Sequence, residues 1–244
     1  MLGSLRTNTD WAWAAFGKHP SARDFIRLGP ELPIFNAFCN WVERGFLLMR
    51  RGDKQSLNSW RFWARGTKRS HLVCGLLRDS HDSIGRPYPC LIIGTGLLSD
   101  WEDHWDQLPA VLEKTWGAME YLFVKRLNTI NDLSDDLSRL QPACTVFSER
   151  RAFENDDHRD KRADLNYAEL GTLKQGVLHH VIKDDHPFTD AARWLKGLSS
   201  GNIPVPNAVF LGGVPQRSSI VAYNRSLQPT DFAELWSGNS FSEN

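Results

Sequence analysis

Lys18, Asp24, Ser80, Asp82 and Arg86 form a phosphate-friendly set, with cations and donors of the kind that stabilise charge on a transferring group. The same side chains can also serve one another. Asp82 can accept the backbone donors of a turn around Gly85, and it can pair with Arg86. Arg86 can instead fork to Asp24 if the two stretches converge on one sheet edge. Lys18 is a flexible charge at a strand exit, where ligands approach α/β sheets. Two readings follow. The cluster is a buried polar network that holds two loops together, or it is a surface in direct contact with a partner. The two are compatible if the network shapes the surface.

Other tempting groups carry less. Ser80, His81 and Asp82 are consecutive, whereas a catalytic triad needs neighbours in space, and consecutive side chains point in different directions. His179 and His180 must face apart for the same reason, which reads as one core and one surface histidine. The Asp156–Asp160 run lacks the glycine and terminal glutamate of a calcium loop and reads as solvated charge. Nucleophile-elbow, Walker A and dinucleotide fingerprints are absent from the sequence. Gly94-Thr95-Gly96 has no third glycine and reads as a flexible strand exit. Cys39, Cys74, Cys90 and Cys144 form no CxxC pair and lie in apolar stretches, as buried reduced thiols do. The expectation is a chain with no catalytic residue, no cofactor and no metal.

Those residues must be positioned by a folded scaffold, and the chain can supply one. Its 244 residues are 41% hydrophobic and 24% charged, so it can bury a core without staples. Twenty-nine basic residues balance 29 acidic ones, without the excess that a nucleic-acid binder carries. Ten tryptophans lean toward protein partners. The start is too polar for a signal peptide and no apolar run is long enough to span a bilayer. The expected location is the cytoplasm, with no membrane insertion.

Periodicity predicts a strand at 11–17, a polar turn-bearing segment from Lys18 to Gly29 and a helix over 32–50. Strands follow at 59–65, 71–77 and 88–95, the last two near-continuous apolar runs, as suits central strands covered on both faces. Helices are expected at 109–128 and 132–140, and a strand at 143–149. The end reads as helix 189–197, a hairpin of strands 207–213 and 218–224, and helix 230–236. Long helices interleaved with buried strands, closed by a hairpin, predict an α/β fold: a three-layer α/β/α sandwich around a mixed β-sheet. The whole chain, 1–244, reads as one domain, with a weak internal boundary at the charged loop 149–166.

Two signatures carry more than composition does. One is Gly17-Lys18-x-Pro20-x-x-x-Asp24-Phe25. The other is Ser59-Trp60-Arg61-Phe62, followed by Gly75-x-Leu77-x-x-Ser80-x-Asp82-x-x-Gly85-Arg86-x-Tyr88-Pro89. In order and spacing over 15–91 they resemble the TagF (ImpM) family of type VI secretion accessory proteins, and 207–236 is similar to that family's closing strand–strand–helix unit. The chain departs from the family pattern at Arg23 (a glycine), Asp79 (a proline) and Cys90 (a leucine), and 209–213 lacks the tryptophan-rich strand motif. The resemblance implies a non-enzymatic cytoplasmic accessory protein. The role that the resemblance implies is that of a post-translational repressor binding a forkhead-associated-domain scaffold, with Lys18, Asp24, Arg61, Ser80, Asp82, Gly85 and Arg86 expected to contact the partner or shape the contact. A structural subunit of the apparatus, or an enzyme acting on a phosphorylated group, are the alternatives.

Overall fold

The computed structural model describes residues 11–49, 57–127, 129–141, 176–182, 187–201 and 203–237. The expected strand at 143–149 and the charged loop 149–166 lie outside these residues.

In chain order the elements are β1 (Ala12–Gly17), β2 (Ile26–Leu28), α1 (Pro33–Leu48), β3 (Ser59–Arg65), β4 (His71–Arg78) and β5 (Cys90–Leu97). A 3-10 helix (Trp101–Gln107) leads into α2 (Leu108–Val124) and α3 (Ile130–Ser138). The end of the described chain comprises β6 (Val177–Val181), α4 (Pro187–Ser200), β7 (Ala208–Val214), β8 (Arg217–Tyr223) and α5 (Pro229–Ser237). Pro33 and Pro109 stand in the first turns of α1 and α2, where a missing N–H costs nothing. Thr129 caps α3 in a reciprocal box with Asp132.

The strands form one sheet in the order β2-β1-β5-β4-β3-β7-β8-β6. Every pairing among them is antiparallel. The expected three-layer α/β/α sandwich around a mixed sheet is therefore corrected. The organising element is a single eight-stranded antiparallel sheet, with five α-helices among the described residues. The cause is the connections. A turn at 66–70 joins β3 to β4, and an irregular loop at 79–89 joins β4 to β5. Neither contains the crossover helix that a parallel neighbour demands. Burial on both faces, correctly read from the apolar runs, does not by itself select parallel pairing.

Alternation along the strands sends side chains to two cores. Leu72, Cys74, Leu76 and Ile92 pack with Trp101, Trp105 and the buried faces of α2, α3 and α4. Val73, Leu77, Leu91 and Ile93 pack on the opposite face with α1 and α5, around stacked Phe38, Phe62 and Phe210. Gly94 and Gly96 lie inside β5, where added Cβ atoms would strike the rings of Trp13 and Trp11. They make room for tryptophan and do not form a flexible exit. No helix of the described residues is long and apolar enough to cross a membrane.

Candidate functional site

The site lies at the end of the sheet where β1 stops and the β4–β5 loop begins. Gly17 ends β1 at φ +113°, and a Cβ there would sit 2.0 Å from the Pro89 carbonyl oxygen. Only glycine lets the chain turn this close to the neighbouring strand. The turn drops Lys18 into a buried position beneath the loop.

Asp82 is the centre. Its carboxylate accepts from the Ile84 N–H (3.2 Å), the Arg86 N–H (2.9 Å) and Arg86 Nε (2.6 Å). Lys18 Nζ completes the set at 3.0 Å. Gly85, at φ +84°, lets the loop fold back over its own aspartate, and the Gly85 N–H donates to the Asp82 carbonyl. The carboxylate has no accessible surface. Burial works against its charge, but the donors from Arg86, Lys18 and Ile84 outweigh it and hold the carboxyl well below the usual carboxylate range.

The same arginine ties this loop to the segment after β1. Arg86 Nη2 donates to the Arg23 carbonyl at 2.7 Å and lies 3.6 Å from the Asp24 carboxylate. The Ser83 N–H donates to the Ala22 carbonyl at 2.8 Å. Lys18, Asp24, Asp82, Gly85 and Arg86 are therefore brought together, although 63 positions separate Arg23 from Arg86.

Two sequence candidates do not join them. Ser80 contributes its backbone carbonyl to the Tyr88 N–H, and its hydroxyl takes no part in the Asp82 network. Arg61 leaves β3 toward α2, where it holds Glu120 through Nε and Nη2 and Glu113 through Nη1, over the Trp116 ring. It lines a cavity with Ser59, Glu120, Leu211, Gly212 and Ser218. The consecutive Ser80, His81 and Asp82 form no relay: His81 Nδ1 meets the Asp82 carbonyl, while the Asp82 carboxylate serves Lys18 and Arg86. On β6, His180 reaches Asp190 and stacks on Trp194. Among the described residues no group of three or more His, Cys, Asp or Glu is placed to hold a metal ion.

Sequence reasoning missed three features. His19 is buried, accepts the Ser21 N–H at Nδ1 and so donates from Nε2 to the Leu122 carbonyl, tying the loop to α2. Burial lowers its pKa, more than the Leu122 bond raises it. Asp79, noted only as a departure, accepts the Trp236 indole N–H and the Asn58 N–H, fastening α5 to this end of the sheet. Around the network stands an exposed rim of Arg23, Phe25 and Ile84. Phe25 is 53% and Ile84 61% accessible. Phe25 meets Tyr88 edge-on at 4.6 Å, Lys18 Nζ lies 5.2 Å from its ring, and Tyr88 continues to Phe46. The apolar Ile84 inside a turn-rich stretch was the signal that could have found this rim.

The sequence profile of the TagF N-terminal domain family, type VI secretion system-associated, matches residues 14–142, a span that contains the whole site. Among solved structures, the crystal structure of PA0076 from Pseudomonas aeruginosa PAO1 is similar, with a TM-score of 0.56 over 95% of this chain and 97% of that one. At 15% identity the likeness is one of fold. No curated protein sequence matches the chain significantly.

Proposed function

Since the chain belongs to the TagF N-terminal domain family and is thereby associated with type VI secretion, we propose that it is a non-enzymatic cytoplasmic regulator of that apparatus. It acts after translation, as a repressor, by docking on a forkhead-associated-domain scaffold and competing with assembly. The observation that carries this reading is the pairing of a closed ionic network with an open rim. Asp82 engages both Lys18 and Arg86, the cations that a phosphoryl substrate would need. Phe25, Ile84 and Arg23 meanwhile face outward on loops which that network holds in place. An arrangement that satisfies its charges internally and exposes aromatic, aliphatic and arginine side chains suits a protein contact better than turnover of a small ligand.

Calorimetric titration of the purified chain with the forkhead-associated-domain scaffold of the same genome tests the reading. Saturable binding, weakened by Arg86→Ala in a variant that remains folded, is the expected result. Absence of binding would remove this partner. Stoichiometric retention of the chain in isolated secretion particles would replace regulation with an assembly role.

A further inference from the structure

The rim has a definite chemistry. Three cations (Lys18, Arg23, Arg86) stand with two carboxylates (Asp24, Asp82), three minus two leaving one positive charge. The distribution matters more than the sum. Asp82 spends its lone pairs inward on four donors, and Lys18 lies buried against it. What faces solvent is Arg23, which has no acidic partner among the described residues, and Arg86, which is half exposed. Nε and Nη2 of Arg86 are engaged, which leaves Nη1 as its remaining donor group. Asp24 is the one outward carboxylate of these five residues, and its Oδ1 already accepts the Phe25 N–H.

Scattered exposed apolar side chains need no explanation. Phe25 and Ile84 are not scattered. The Ser83–Ala22 and Arg86–Arg23 hydrogen bonds stitch their two loops edge to edge. The Phe25–Tyr88–Phe46 ring ladder continues the apolar stripe onto α1. A preformed stripe flanked by unspent arginine donors binds with little ordering cost. Aromatic and arginine side chains are also those enriched where proteins meet.

We propose that the surface of Arg23, Phe25, Ile84 and Arg86 docks an acidic protein segment that carries an apolar anchor. Carboxylates of the segment pair with Arg23 and with Nη1 of Arg86, and the anchor packs beside Phe25 and Ile84. The proposal rests on the adaptor reading for its biological setting but not for its chemistry.

The test is selection of a random-peptide display library on the immobilised full-length chain, followed by anisotropy titration of the selected peptides. Sequences rich in Asp and Glu around an aromatic or aliphatic residue are expected, with binding that weakens as salt rises. Arg23→Glu and Phe25→Ala, both at exposed positions, should each weaken binding about tenfold or more, while Lys196→Glu on α4 should not. Enrichment of basic or uncharged sequences, no enrichment at all, or equal binding by wild type, Arg23→Glu and Phe25→Ala overturns the proposal. The same variants separate it from the choice of partner. Saturable scaffold binding, with peptide and scaffold binding both indifferent to Arg23→Glu and Phe25→Ala, refutes this surface and spares the regulator. Acidic peptides bound here by a chain that ignores the scaffold refute the partner and spare the surface.

Discussion

Lys18 Nζ and Asp82 Oδ2 meet 3.0 Å apart with side chains 8% and 0% accessible, joining the exit of β1 to the loop between β4 and β5. An ion pair so sheltered is weak evidence for net stability, because desolvation offsets much of the attraction. Its value lies in geometry. Only with Asp82 in place do the Arg86 backbone, the Arg86 side chain and the Ile84 N–H share one acceptor.

Removing that acceptor should therefore separate scaffold from contact. Asp82→Ala strands a buried ammonium and two backbone donors, and we expect the melting temperature to fall by roughly 5 °C or more. Arg86→Ala should lower it less, since Arg86 is half exposed. Phe25→Ala and Arg23→Glu should hardly move it. Differential scanning calorimetry of the four variants checks the order. An unmoved transition for Asp82→Ala would contradict the network's role.

His19 makes one part of the stability pH-dependent. Burial holds its imidazole neutral and lowers its pKa below 6.5. Above that pH the ring is neutral in the folded and the unfolded chain, and its full contribution is present. As pH falls through 6.5, the unfolded chain takes up a proton that the folded chain refuses, and stability declines. The difference in urea midpoint between wild type and His19→Gln should be largest above pH 6.5 and shrink below it. His179 acts with the same sign and is pushed down to about 4 by burial, aided by Arg217 and His180. The wild-type decline should thus extend toward that value. A wild-type-minus-variant difference independent of pH would contradict the assignment of His19.

The contacts of Asp79 explain what it does here. Its two oxygens take the Trp236 indole N–H at 2.9 Å and the Asn58 N–H at 2.8 Å, while its own N–H donates to the Asn58 carbonyl. Asp79→Ala removes the acceptor that Trp236 and Asn58 share and should cost about 1–3 kcal/mol. Asp79→Pro also removes the backbone donor and should cost more. Hydrogen exchange should show α5 amides opening faster in both variants, with α2 amides unchanged. Equal protection of α5 in wild type and variants would show that the clasp is idle.

Much of the local structure was legible because the forces behind it are local. The alternation of 59–65 coincides with β3, and the 3.6-residue periodicity of 32–50 locates α1 to within two residues at either end. β2, with three residues, and β6, with adjacent histidines, carry too short or too polar a pattern to register. The Asp82–Gly85–Arg86 turn could be anticipated since its partners lie within four positions and its chemistry follows from residue type.

By itself the sequence determined the two-sided burial of the central strands, the need for glycine at the turn, and the candidate network residues. Tertiary structure alone decided that all the described strands pair antiparallel, that Lys18 and the Arg23 carbonyl complete the Asp82 loop, and that Arg61 of β3 pairs with glutamates of α2 and stands apart from that site. The physical reason is range. Side-chain periodicity and turn chemistry are fixed by neighbours a few residues away. Strand direction and the meeting of distant charges instead depend on which long connections close, and that free energy is shared across the whole core.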